Sequence, residues 1–327
     1  MTEQSTAPVR RRIFLAGATG TIGKATARAL HARGHEVVCF VRPAAKAEGL
    51  EGADIRRGDV TDPRSVETAG FRGERFDTLV SCLASRTGAP ADAQAIDHDA
   101  QLILLDAARR AGVAHVVLLS AICVQKPRLA FQHAKLAVER ALVGSGIAYT
   151  IVRPTAFFKS LSGQVARVQR GKPWLLFGDG RLTACKPISD ADLAAFLVRC
   201  VEDESLRNQR LPIGGPGPAI TPREQAEMLF AMLGKPARFR SVSVRMMDAI
   251  IAALSLFGRL SPKLRDKAEL ARIGRYYATE SMLVWKGTHY DADATPSTGS
   301  ETLRDHYARL LRGEAESDLG AHALLPP

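Results

Sequence analysis

RIFLAGATGTIGKATARAL, residues 12 to 30, decides the fold class. Arg12 to Ala16 is a short apolar run of the kind a buried strand uses. From Thr21 onward Ile22, Ala25, Ala29 and Leu30 recur at helical spacing, and Gly34 marks a stop. Between the two stand Gly17, Gly20 and Gly23. One glycine permits a tight turn and another lets the backbone approach a pyrophosphate. The helix start adds amides and the positive end of a dipole. Such a triplet is weak evidence alone, but at the first strand-to-helix junction of an alternating chain it points to a dinucleotide. Gly17, Thr19, Gly20, Thr21, Ile22 and Gly23 are therefore the expected cofactor-binding residues.

The alternation continues outward from that stretch. HEVVCFVR (35–42), GADIRRGDVTDP (52–63), FDTLVSCLA (76–84), HVVLLSAI (115–122) and AYTIVRP (148–154) each read as a strand. Helices are expected at 65–70, 92–111 and 131–144. Six apolar strands alternating with helices imply an α/β, doubly wound parallel sheet, a Rossmann domain over residues 12–155. After Pro154 the rhythm breaks, and residues 156–310 read as a substrate-binding section. Within it RLPIGGPG (210–217) suggests a strand returning to the sheet. TPREQAEMLFAMLG (221–234) is a capped helix, with Thr221 at the cap, Pro222 in the first turn and Glu224 three residues on. Residues 1–11 and 311–327 are expected to be flexible tails. The apolar run AIIAALSLFG (249–258) is expected to pack in the core, with a pocket wall and a membrane contact as alternatives.

The net charge of +11 favours an anionic partner. The bases are scattered rather than striped along one helix, which argues against nucleic acid. Five cysteines without paired spacing read as small buried hydrophobes in a reducing compartment. Eight histidines without ligand spacing predict no protein-bound metal. No run approaches the ~20 apolar residues of a membrane span. The polar, then basic, N-terminus lacks an apolar signal region. The expected location is cytoplasmic, with a peripheral membrane contact left open.

Five further positions bear on chemistry. Arg42 ends the second strand where an NAD site offers a carboxylate, and a guanidinium there suits the 2′-phosphate of NADPH. Asp59 ends the third strand, where it can meet the adenine amino group or simply form a turn. Ser120 ends the fifth strand, and FQHAK (131–135) opens the next helix, with Phe131 and Lys135 on one face. A carbonyl reductase needs a phenol at residue 131 to protonate an alkoxide. Phe131 cannot do so, which leaves reduction of a carbon–carbon double bond, or no chemistry.

LLSAICVQKP, FQHAKLAVE, YTIVRPTAFFKSLSGQ, FGDGRLTACKPISDADLA, LPIGGPGPAITP, AELARIGRYYATESMLV and YDADATPSTGSETL together resemble the atypical, NmrA-like short-chain dehydrogenases. Within that group they resemble the 8-vinyl reductase family of divinyl (proto)chlorophyllide. The likeness runs from about residue 13 to 308. It implies NADPH-dependent reduction of a vinyl group to ethyl on a tetrapyrrole whose magnesium belongs to the substrate. It also implies Lys135 as the catalytic residue orienting the nicotinamide ribose. Phe131, Phe157, Phe158, Lys159 and Tyr276 would form the substrate side, with Tyr276 and Tyr277 as candidate proton donors. No obligate protein partner is implied. A non-catalytic dinucleotide sensor, a scaffold protein, and a reductase of a quinone or another conjugated alkene are the competing readings.

Overall fold

The computed structural model describes residues 9–258 and 261–314. Residues 1–8 and 315–327 of the expected tails lie outside the described residues. The chain begins its sheet with β1 (Arg12–Ala16), then α1 (Thr21–Ala32), β2 (Glu36–Val41) and β3 (Asp54–Arg57). α2 (Pro63–Ser65) runs on as a π-helical turn, Val66–Phe71, into β4 (Thr78–Ser81). The expected helix at 92–111 is α3 (Pro90–Asp92) and α4 (Ala100–Arg110), joined by a π-helical stretch, Ala93–Asp99. β5 (His115–Leu119) leads through a 3₁₀ turn, Ile122–Gln125, to α5 (Ala130–Val143) and β6 (Ala148–Pro154).

Beyond β6 come α6 (Phe158–Leu161), α7 (Val165–Gln169) and β7 (Trp174–Phe177). Then α8 (Asp190–Glu202) and β8 (Gln209–Ile213) return to the main body. α9 (Pro222–Met232), β9 (Phe239–Val242), α10 (Val244–Phe257), α11 (Pro262–Thr279), β10 (Val284–Trp285), β11 (Tyr290–Asp291) and α12 (Leu303–Leu311) complete the described chain. α12 reaches Leu311, one residue into the expected tail at 311–327.

Seven strands form one parallel sheet in the order β3-β2-β1-β4-β5-β6-β8. The order reverses at β1, the switch point where such sheets bind ligands beyond their carboxyl ends. Each face has its own core. One joins Leu15, Cys39 and Val117 to Ile22 and Leu30 of α1 and Leu193 and Leu197 of α8. The other joins Phe14, Phe40 and Ile151 to Leu104 of α4 and Val138 and Leu142 of α5. The returning strand is β8, and the capped helix is α9, whose Thr221 and Glu224 exchange the two bonds of a capping box.

The run at 249–258 departs from expectation. α10 buries none of its residues; Met246, Ile250, Leu256 and Phe257 are 47 to 62 % exposed. Its inner residues lie against α11, while a second apolar stripe, also at helical spacing, faces outward. Among the described residues no helix is long and apolar enough to cross a membrane. Four of the five cysteines are buried, and Cys82 is half-buried.

Candidate active site

The cofactor turn is built where β1 ends. Gly17 has φ +80°, and a Cβ there would lie 2.6 Å from the Cys82 carbonyl. Glycine alone tolerates both conditions. The Gly17 carbonyl accepts the Gly20 amide at 3.1 Å, closing the turn. Gly20 precedes α1 in an extended conformation, and a Cβ on it would meet nothing nearer than 3.5 Å. The space beside it is therefore open to an incoming group. Gly23 lies against the turn itself, since a Cβ there would sit 2.1 Å from the Gly17 oxygen. The first turn of α1 has no acidic residue. Its leading amides and dipole end stay free for an anion, as a pyrophosphate requires. Ile22 contributes by its backbone, because its side chain is in the core. Thr19 is half-buried in the turn and Thr21 is exposed at the helix start.

Arg42 follows β2, is exposed, and forms no ion pair with a described residue. Arg57 holds the loop beneath it, donating to the Pro43 and Ala45 carbonyls at 2.9 and 2.8 Å. Asp59 has the turn geometry of its second reading. Its carboxylate accepts from the Thr61 amide and hydroxyl at 2.9 and 2.7 Å, which holds its pKa below the usual carboxylate range.

At the end of β5, the Ser120 hydroxyl donates to Glu139 at 2.5 Å. Glu139 is 1 % exposed and also accepts from Arg153 of β6. One turn before Glu139 on α5, the Lys135 ammonium meets Asp97 of the π-helical stretch at 2.9 Å. Phe131, a further turn back, is half-buried beside Gly88 and packs with Ile273, Tyr276 and Met282. A serine, a half-buried amine and an aromatic wall thus share the carboxyl edge of the sheet with the glycine turn.

The expected substrate residues divide. Phe157 is half-buried and leans on the sheet core. Lys159 is half-buried and has no ion pair to a described residue. Phe158 does not join them. It is 1 % exposed, packed with Val165, Trp174 and Tyr307, its ring 5.4 Å from that of His306. Tyr276 is also a correction. It is 4 % exposed, and its hydroxyl is shared between the Cys123 and Lys126 carbonyls at 2.9 and 3.0 Å. Burial raises its pKa, so it braces the turn after β5 and is a poor proton donor. Tyr277 is part-exposed beside it, ring centroids 5.8 Å apart.

A family model described as NAD(P)H-binding matches residues 17–204. The chain is 45 % identical over 98 % of its length to the chloroplastic divinyl chlorophyllide a 8-vinyl-reductase of Oryza sativa subsp. indica, covering 84 % of that protein. The chain belongs to the divinyl chlorophyllide a 8-vinyl-reductase family. Solved structures carry the same fold at lower identity. A ternary complex of leucoanthocyanidin reductase from Vitis vinifera superposes with TM-score 0.69 at 17 % identity, covering 92 % of this chain and 99 % of that one. The NADPH complex of the quinone oxidoreductase QOR2 from Escherichia coli gives 0.66 at 22 % identity, with 91 % and 99 % covered. The protein is a nicotinamide-binding oxidoreductase with a Rossmann sheet.

Within this vinyl-reductase family chain, several site residues escape sequence reasoning. Asp97 and Glu139 are buried acids; only the Lys135-to-Glu139 spacing on one helix face hinted at the second. The SAICVQKP segment proves to be a clamp. Lys126 pairs with Glu280 at 2.6 Å and lies 4.2 Å from the Trp285 ring centroid. Tyr290 donates to the same carboxylate at 2.7 Å, and Arg128 reaches it at 3.0 Å. Gln125 brackets the strand edge, donating to the Leu283 carbonyl and accepting the Trp285 amide. Among the described residues no group of three metal-ligating side chains gathers.

Proposed function

We propose that this protein reduces the 8-vinyl group of divinyl chlorophyllide or protochlorophyllide a to ethyl, with NADPH as reductant, in chlorophyll or bacteriochlorophyll synthesis. The observation that carries the reading is Phe131 one turn from a half-buried Lys135, in a chain nearly half identical to named vinyl reductases. Bound NADPH supplies a hydride. A vinyl group conjugated to a macrocycle accepts hydride at its terminal carbon and spreads the charge into the ring. The inner carbon then takes a proton, so no phenol is needed against an alkoxide.

The chain's own residues bind, orient and exclude water. The Gly17–Gly23 turn holds the pyrophosphate, and exposed Arg42 favours the 2′-phosphate of NADPH over NADH. Lys135 orients the nicotinamide ribose. Phe131 and Phe157 offer apolar faces to a flat ring, and Lys159 suits a propionate. Placement of the reacting carbons near ~3–3.5 Å supplies much of the acceleration. The direct test is purified protein with NADPH and divinyl chlorophyllide. A blue-shifted Soret band and a mass gain of two hydrogens are expected. NADPH bound but never oxidised would instead identify a sensor.

The reading extends to a lipid surface met through α10. Its outward stripe of Met246, Ile250, Leu256 and Phe257 is flanked by exposed Arg240, Arg245, Lys263 and Arg265, a pattern suited to anionic headgroups. Asp248, the acid of that helix, is neutralised by Arg275. Vesicles containing anionic lipid should sediment the protein, and an Ile250→Glu, Phe257→Glu variant should stay in solution. Equal sedimentation of both would remove this contact.

A further inference from the structure

We propose that Asp97 is a positioning residue that fixes the place of Lys135. The inference deepens the reduction read above and rests on it. Asp97 is 1 % exposed, and one carboxylate oxygen takes both the Lys135 ammonium at 2.9 Å and the Ser85 amide at 3.3 Å. The other oxygen, Oδ2, is buried with no partner among the described residues. A fold gains little from such an arrangement. Buried ion pairs seldom stabilise relative to apolar residues of the same volume, and an unmet buried acceptor is unfavourable. Its retention at the carboxyl edge of the sheet points to use by a ligand.

The backbone supplies a second, independent sign. Asp97 lies within the π-helical stretch Ala93–Asp99, flanked on both sides by α-helix. A π turn widens the helix and alters the direction in which its side chains leave the axis; such turns concentrate at functional sites. Here it faces α5, which carries Lys135. Asp97, Gln101, Ser120 and Lys135 gather at one spot, with Gln101 fixed by the Ser81 hydroxyl at 2.8 Å. Asp97 thus ties the loop after β4, at Ser85, to the amine. Its open oxygen is an acceptor for a hydroxyl of the nicotinamide ribose.

Asp97→Asn, Lys135→Met and the double variant test this in a cycle with two readouts. Asp97→Asn should lower kcat about 50-fold with the pigment KM nearly unchanged, the loss expected of a misplaced group. It should also raise the NADPH dissociation constant, read by nicotinamide fluorescence without pigment, by about 5-fold. On the Lys135→Met background the same change should alter kcat by less than about 3-fold, because no amine is left to place. Retention of more than about a third of kcat with unchanged NADPH affinity, or a full multiplicative loss on the Lys135→Met background, overturns the assignment. Should Asp97→Asn fail to fold, Asp97→Glu keeps the counter-ion but displaces it by a methylene, and the same readouts decide. If the wild type reduces no vinyl group, the reading of function fails, and the fluorescence arm still decides the role of Asp97.

Discussion

Gly23→Ala puts a methyl group into the turn that positions the cofactor. The added carbon would lie 2.1 Å from the Gly17 oxygen, 2.8 Å from its carbonyl carbon and 2.9 Å from the Ala18 Cα. All three are backbone atoms and none can swing aside. Relief to ordinary contact requires the first turn of α1 to retreat by about 1 Å. That helix is wedged between the sheet and α8 through Ile22, Ala27 and Leu30, so retreat repacks one whole core face. Overpacking of this kind costs about 1–3 kcal/mol, a melting decrease of about 2–6 °C for a chain of this size. The phosphate-facing amides move with the helix, and a displacement near 1 Å should weaken NADPH binding by about 10- to 100-fold. Gly20→Ala is the control. Its methyl meets only the Gly17 oxygen, at 3.5 Å, so melting should change by less than about 1 kcal/mol. Binding should still suffer, because the methyl occupies the face the pyrophosphate approaches. Thermal melting and fluorescence titration of both variants decide the matter. The reasoning fails if Gly23→Ala melts and binds like wild type, or if Gly20→Ala destabilises the fold as much as Gly23→Ala.

Arg42→Asp should raise the apparent constant for NADPH by about 10-fold or more while leaving NADH nearly unchanged, since only the 2′-phosphate loses its partner; equal effects on both cofactors contradict that pairing. Tyr276→Phe should keep kcat within about 3-fold and cost roughly 1 kcal/mol of stability, the worth of a hydroxyl spent on backbone carbonyls. A loss of turnover far beyond that, at unchanged melting, would restore Tyr276 as proton donor. His115 is fully buried against Thr150, and burial pushes its pKa from 6.5 down to about 4. Below pH 6.5 the unfolded chain takes up a proton that the folded one refuses. Stability should therefore fall with acid from about pH 6.5 to 4, by up to about 3 kcal/mol, and be unaffected by this group above that window. His115→Gln should flatten that part of the pH–stability curve, and an unchanged slope would point to other groups.

The sheet was legible because its signals are local. The apolar runs, the glycine turn after Ala16 and the Thr221 capping box each sit within a few residues of the structure they dictate. The site was legible only at those same places: Gly17, Gly23, Ser120 and Lys135 lie at strand ends or on one helix face. What stayed hidden depends on distant partners. Asp97 reads as an ordinary helix acid until the fold brings α5 against it, and no periodicity marks a π turn. Phe157 and Phe158 are adjacent and chemically alike. The extended backbone at Phe157 turns one toward the sheet edge, while α6 turns the other into a core with Trp174 and Tyr307. Likewise α10 has the composition of a core helix, but it lies on the outside of α11 with its second apolar stripe uncovered.

The lock on the turn after β5 closes late in the life of the chain. Lys126 waits for Glu280, 154 residues downstream. At ribosomal speeds of roughly 5–20 residues per second, that interval lasts on the order of 8–30 s. Through it the nascent nucleotide half can already wind its first strands, yet the segment leading to the amine has no anchor. A product ending before Glu280 would carry the glycine turn of β1 and α1 but lack the partner that anchors Lys126 after β5.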